Sequence, residues 1–417
     1  MLSCQAYDFE TDGIYYKILS KGEVAVTNAP NRKEYSGDIS IPSTVSYGGY
    51  TYSVTEIGPR AFEECDYLSR VTIPNTVTII GELAFFYSKS LNYISIPNSV
   101  IEIRERAFDD CLSLSHVYIP NSVTSIGDFA FRGCDSLMSI DVDQENLFYT
   151  SLDGVLYNKE LTTLLQCPGG KETLDIPRTV TIIEECAIIH CHNLRFVTIP
   201  ESVKEIREEA FHDCKSLENI IIPESVIEIG EECFSNCESL LTIKLPDSIS
   251  VIKQGLLYQC YALENVYLPD SIIEIEDWAF SQCFSLKSII LPSSLSFIGR
   301  YVFGSCRNLN EVTCLTKEIP ELAENVFSGI ASDAILYVKE SVLEDYKKSE
   351  WAQYFAEILP LKDTGVENIL INPDNKFSIY STDGILIKKD FKVEDLKTLN
   401  KGIYIIVSGK EYYKISI

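Results

Sequence analysis

The chain has 417 residues, 46% hydrophobic and 23% charged, which is enough apolar side chain for a large core and too much for a disordered chain. Lys and Arg total 35 against 61 Asp and Glu, a formal charge of −26 that repels phosphate backbones and anionic lipid, so nucleic acid is not an expected partner. No apolar run reaches the roughly 18 residues needed to cross a bilayer, so no transmembrane segment is expected.

Residues 1–6 end in Cys4-Gln5-Ala6, which resembles the small-residue end of a signal peptide, and they read as its remnant. In residues 7–40, alternating stretches at Ile14 to Ile18 and Glu23 to Val26 flank Lys21-Gly22 and predict a β-hairpin cap.

From residue 41 the chain is periodic. Pro74, Pro97 and Pro120, then Pro177, Pro200, Pro223, Pro246, Pro269 and Pro292, recur every 23 residues, with one step of 57. An insertion of 34 residues at 143–176 accounts for that step and separates repeats at 41–142 from repeats at 177–308. Apolar columns stand one, three and six residues before each proline, as in Ile119, Val117 and Leu114. The alternation predicts a short strand with one buried face, ended by the proline. Val123 and Ile126 return the chain to the same core, and Ala130-Phe131 places a ring at the back of the coil. One such unit cannot bury its own columns, whereas a stack of them makes a continuous core.

The predicted fold is therefore a mostly β repeat solenoid of the α/β type. It is a right-handed leucine-rich-repeat solenoid of about ten 23-residue rungs with one parallel strand each. The run from Ile119 to Leu137, I-P-x-S-V-x-x-I-G-x-x-A-F-x-x-C-x-S-L, resembles the BspA-like leucine-rich repeat of bacterial surface proteins. The resemblance covers about residues 40–360. It implies export to the bacterial surface and adhesion to other cells or to host extracellular proteins such as fibronectin or fibrinogen.

Cys65, Cys111, Cys134, Cys191, Cys214, Cys237, Cys260, Cys283 and Cys306 form one column, in which Ser88 fills a rung. A residue type repeated on every rung reads as a small buried hydrophobe, so free thiols are expected rather than disulfides. Cys186, His190, Cys191, His192 and His212 mix zinc-binding types. Cys191 belongs to the core column, however, and no C-x-x-C occurs, so no metal is expected and His190 and His192 are placed at the surface.

The insertion at 143–176 carries two strand-like runs, Ser151 to Tyr157 and Thr162 to Leu165, and is expected as a β-hairpin, a surface bulge that needs no function rather than the alternative, a recognition element. Residues 309–361 read as a C-terminal cap: a strand at Ile335 to Val338, then a helix from Glu340 to Phe355 with Trp351 inward. Residues 366–417 hold eight Lys against seven acidic residues and predict a small β-sandwich. Asn372-Pro373, Asp383-Gly384 and Lys401-Gly402-Ile403-Tyr404 resemble the C-terminal sorting domain of type IX secretion.

No nucleophile elbow, zinc-protease, P-loop or dinucleotide motif is present, and four histidines supply few general bases, so no catalytic residue and no cofactor is expected. Glu205, Glu208, Glu228 and Glu231 recur at fixed repeat positions, which fits a solvated stripe better than a glycosidase pair. The remaining candidate surface is the outward side of the strands, two and four residues before each proline. It comprises Tyr93, His116, Tyr118, Phe196, Thr198, Asn219, Thr242, Asn265, Tyr267 and Ser288. Aromatic and hydrogen-bonding groups on a rigid sheet suit recognition of a protein or glycan. The expectation is a secreted or surface-bound, monomeric binding protein. An accessory envelope protein is the alternative, and a carbohydrate-active enzyme a distant one.

Overall fold

The computed structural model describes residues 7–30 and 35–361, together with the strands Phe377–Ser381, Leu386–Phe391, Ile403–Ser408 and Glu411–Ser416. The main body is a parallel-strand solenoid of about 13 turns, which extends beyond the regular 23-residue units because both ends continue the coil.

The predicted strand before each proline is present, as Tyr93–Ser95, His116–Ile119, Phe196–Thr198 or Thr242–Lys244. These strands stack in parallel with repeat register, Arg70 opposite Tyr93 and Phe196 opposite Asn219, and form the first sheet in consecutive segments. A second series of two-residue strands accompanies it on the other side, among them Glu102–Ile103, Glu205–Ile206 and Glu274–Ile275. Each buries its isoleucine and turns its glutamate toward solvent, which explains the periodic acidic stripe.

Between the sheets the chain turns through two left-handed residues per rung, such as Arg106 (φ 54) and Asp110 (φ 57), or Glu209 (φ 52) and Asp213 (φ 59). Bulky residues rarely adopt this conformation. Here it aims alternate N–H groups at the next rung: Arg106, Phe108 and Asp110 donate to the carbonyls of Asp128, Ala130 and Arg132 at 2.9, 2.9 and 2.8 Å. Each strained residue thus satisfies a backbone donor that a single rung would leave unpaired.

The core repeats the same contacts at every level. Phe62, Phe85, Phe108 and Phe131 stack with centroids 5.0, 5.1 and 5.4 Å apart. Column thiols donate to a carbonyl of the preceding rung: Cys111 to Phe85 O at 3.2 Å, Cys237 to Phe211 O at 3.3 Å, Cys306 to Phe280 O at 3.0 Å. The Ser88 hydroxyl makes the same bond to Phe62 O at 2.6 Å, so serine and cysteine interchange there for one physical reason. The cysteines from Cys111 to Cys314 are all buried free thiols.

The ends and the insertion are more ordered than the sequence suggests. Ile14–Ser20 and Glu23–Thr27 pair as the predicted hairpin, joined by Phe9–Thr11, while Gly37–Ser40 already starts the first sheet. The insertion holds three antiparallel strands, Tyr149–Leu152, Val155–Asn158 and Thr163–Gln166, one more than a hairpin. The third lies parallel to Ile182–Ile183 and so belongs to the second sheet. In the C-terminal cap the predicted long helix is broken into Glu340–Val342, Leu343–Tyr346 and Glu350–Gln353. Ser349 caps the last piece, and Trp351 is buried against Phe327 with its indole N–H donating to Pro320 O at 3.1 Å.

In the C-terminal tail the described strands form one antiparallel sheet, with Phe377–Ser381 and Ile403–Ser408 central. The predicted sandwich is not established by that sheet, and Asn372, Pro373, Asp383, Gly384, Lys401 and Gly402 lie outside the described residues.

Candidate binding surface

All ten candidate residues fall on the outward side of the first sheet, because side chains alternate across a strand and the inward positions are held in the core. Tyr93, His116, Tyr118, Phe196, Thr198, Asn219 and Asn265 are exposed, while Thr242, Tyr267 and Ser288 are half-buried. Parallel register places Phe196 beside Asn219, and Thr242 and Lys244 beside Asn265 and Tyr267. The face is therefore a set of aligned rows fixed by backbone hydrogen bonds.

Two of its rings lie beside cations. The Arg70 guanidinium lies 4.8 Å from the centroid of Tyr93, and that of Arg195 lies 5.3 Å from Phe196 while donating to Glu218 Oε1 at 2.6 Å. His116 Nδ1 is 2.7 Å from Ser139 Oγ, and the Tyr118 hydroxyl donates to Asp143 Oδ2 at 2.8 Å. That bond raises the Tyr118 phenol above its ordinary range. The Asp143 carboxyl is held low, first by the Glu145 N–H and then by Tyr118.

Two aliphatic residues make the face more apolar than the aromatic and polar candidates imply. Ile221 is 83% exposed, the highest value among the exposed large hydrophobic residues, and Ile290 is 42% exposed. Both stand two residues before a proline, so their outward direction was legible from the repeat even though their chemistry resembles core.

The first sheet is not one unbroken ladder. Its segments end at Tyr93–Ser95, at Ser139–Val142 and at Asn265–Tyr267, and the insertion occupies the gap after the second. His190 and His192, expected at the surface, instead sit half-buried at a loop corner between the sheets, each with a carboxylate partner. No helix among the described residues is long and apolar enough to cross a membrane.

A leucine-rich-repeat protein from Eubacterium ventriosum has a TM-score of 0.58 and 25% identity, covering 77% of this chain and 94% of its own. One from Bacteroides ovatus has a TM-score of 0.51 and 26% identity, covering 85% of this chain and 100% of its own. The pneumococcal vaccine antigen PcpA shares the fold at 18% identity, with a TM-score of 0.58 and coverage of 85% of this chain and 98% of its own. No curated protein matches. Residues 55–169, 166–287 and 251–347 match the family described as BspA type leucine rich repeat region (6 copies); nothing in the match supports a sorting role for residues 366–417. Spanning well over half of the sequence, that match shows that the chain belongs to the BspA-type leucine-rich-repeat family.

Proposed function

We propose that this is a secreted or cell-surface bacterial protein that binds a macromolecular ligand on the outward face of its first sheet. The carrying observation is a set of exposed rings and aliphatic side chains, Tyr93, Tyr118, Phe196, Ile221 and Ile290, standing in two outward columns on, or in the case of Ile221 directly after, strands held by parallel ladders. Large rigid side chains bury area at little entropic cost, and polar neighbours such as Asn219 and Asn265 supply directional bonds around them. The ligand class that fits is an extracellular protein or a surface glycan, and the family supports placement outside the cell. Repeat identity reports the scaffold and leaves the ligand to the side chains of this face. The reading is of a binding protein, not an enzyme, and of a monomer.

The test is binding of the full chain to immobilised fibronectin, fibrinogen and a glycan array at physiological salt. Saturable binding to at least one supports adhesion. Silence across the panel favours an accessory envelope role, and turnover of a glycan would replace both.

A further inference from the structure

Three of the four histidines of the chain, His190, His192 and His212, lie on two consecutive rungs at one corner of the coil. The backbone there is fixed by the inter-rung ladder, with His190 N–H donating to His212 O at 2.9 Å and Asp213 N–H to Ser235 O at 2.8 Å. Asp213 Oδ2 lies 2.9 Å from His192 Nε2 and 3.6 Å from His190 Nδ1. One ligand atom from each of the three side chains falls within 4.8 Å of the other two. A tetrahedral zinc ion with bonds of about 2.0–2.1 Å holds its ligands about 3.3 Å apart, so only small rotamer adjustments separate this corner from a coordination site.

A second feature concerns the far side of one ring. His192 Nδ1 is 2.9 Å from Asp135 Oδ1, on the rung before. A carboxylate behind an imidazole whose other nitrogen faces the ligand position fixes the ring and its tautomer, the usual support of a metal-bound histidine. The histidine side chains are 30% exposed and Asp213 is 13% exposed, so an ion can enter while the site stays partly desolvated. Cys191, between the two histidines in sequence, takes no part: it is buried in the core column, its thiol 3.7 Å from Cys167 O.

We propose that His190, His192 and Asp213 form a site for a divalent transition metal, with zinc as the ion of best fit and Asp135 as a positioning residue. Two nitrogen donors and one carboxylate suit zinc and not calcium, which takes oxygen ligands. The fourth position is left to water. On binding, the hydrogen bond between His192 and Asp213 is replaced by two metal–ligand bonds, and the ring proton passes to solvent. The ion thereby clamps adjacent rungs of the solenoid. This reading is independent of the ligand face, which lies on the first sheet.

The test strips the full chain with a chelator and titrates zinc against a chromophoric competitor. One equivalent per chain is expected, with an affinity at least tenfold weaker in His192→Ala and in the nearly isosteric Asp213→Asn, and about tenfold weaker in Asp135→Asn. His116→Ala, which removes the fourth histidine, leaves it unchanged. Cobalt loading gives tetrahedral ligand-field bands without a thiolate charge-transfer band, and zinc raises the melting temperature of the wild type but not of His192→Ala. Should His192→Ala melt early in chelator, His190→Gln and Asp213→Asn carry the comparison. Absence of stoichiometric binding, equal affinity in the His190 and Asp213 variants, or a thiolate band overturns the proposal, leaving His192 as a charge bridge between two aspartates.

Discussion

Asp135 and His192 are 57 positions apart in the chain and meet at 2.9 Å across neighbouring rungs. The Asn193 side chain reaches the Asp135 carbonyl beside them at 3.3 Å. The insertion therefore leaves the loop corners in register while it rebuilds the second sheet. Val155, Leu156 and Tyr157 are buried, and Thr163–Gln166 takes a strand position beside Ile182–Ile183.

A core role for the insertion makes Tyr157 a sensitive position, since it is 1% exposed. Tyr157→Ala is expected to cost about 3–5 kcal/mol, as for other large core truncations, read by urea denaturation. A cost below about 0.5 kcal/mol, the usual range for surface changes, would show that the insertion is an appendage.

The column thiols are expected to be chemically silent in the folded protein. Burial is the largest cause pushing Cys111, Cys214 and Cys237 well above the ordinary thiol range. Because the thiolate is the reactive form, raising pH to about 8 leaves them protonated where a free cysteine begins to ionise. Alkylation mapped by mass spectrometry should label these positions only after denaturation. Rapid labelling of the native protein would contradict the packing.

Asp109 is fully buried and receives two bonds from Arg132, at 2.9 Å from Nε and 2.7 Å from Nη2. Burial pushes its carboxyl up, and Arg132 pulls it part of the way back. Arg132→Met is expected to cost about 3–5 kcal/mol, because it strands a buried charge, and adding Asp109→Leu should recover most of that. The sign of the pH effect follows from the raised carboxyl. In Arg132→Met the folded state binds a proton that the unfolded state has lost, so the deficit narrows as pH falls. A deficit that widens toward acid would count against the assignment.

The proline spacing made the first sheet, its inward columns and its outward candidates legible, since one buried face fixes the direction of every side chain on a strand. The second sheet was hidden because pairs such as Glu205–Ile206 are too short for any alternation to register. The left-handed turns at Arg106, Glu209 and Trp278 carry no glycine signal, because the stabilising hydrogen bonds exist only between stacked rungs. Asp135 and His192 occupy the same repeat position on either side of the insertion, so the spacing aligned them, but their 2.9 Å contact depends on how the insertion packs between the two units, which the spacing does not contain. The interrupted helix near Trp351 reflects packing of that ring against Phe327, a tertiary demand that local helix preference does not contain.

If the outward face of the first sheet is the binding surface, two variants of the full chain should differ on immobilised fibronectin, fibrinogen and a glycan array. One carries Tyr93→Ala, Tyr118→Ala, Phe196→Ala and Tyr267→Ala on that face; the other carries Glu205→Gln, Glu228→Gln and Glu274→Gln on the opposite sheet. With both variants folded by circular dichroism, the first is predicted to lose binding at least tenfold and the second to retain it. Retention by the first variant, or loss confined to the second, would contradict the claim.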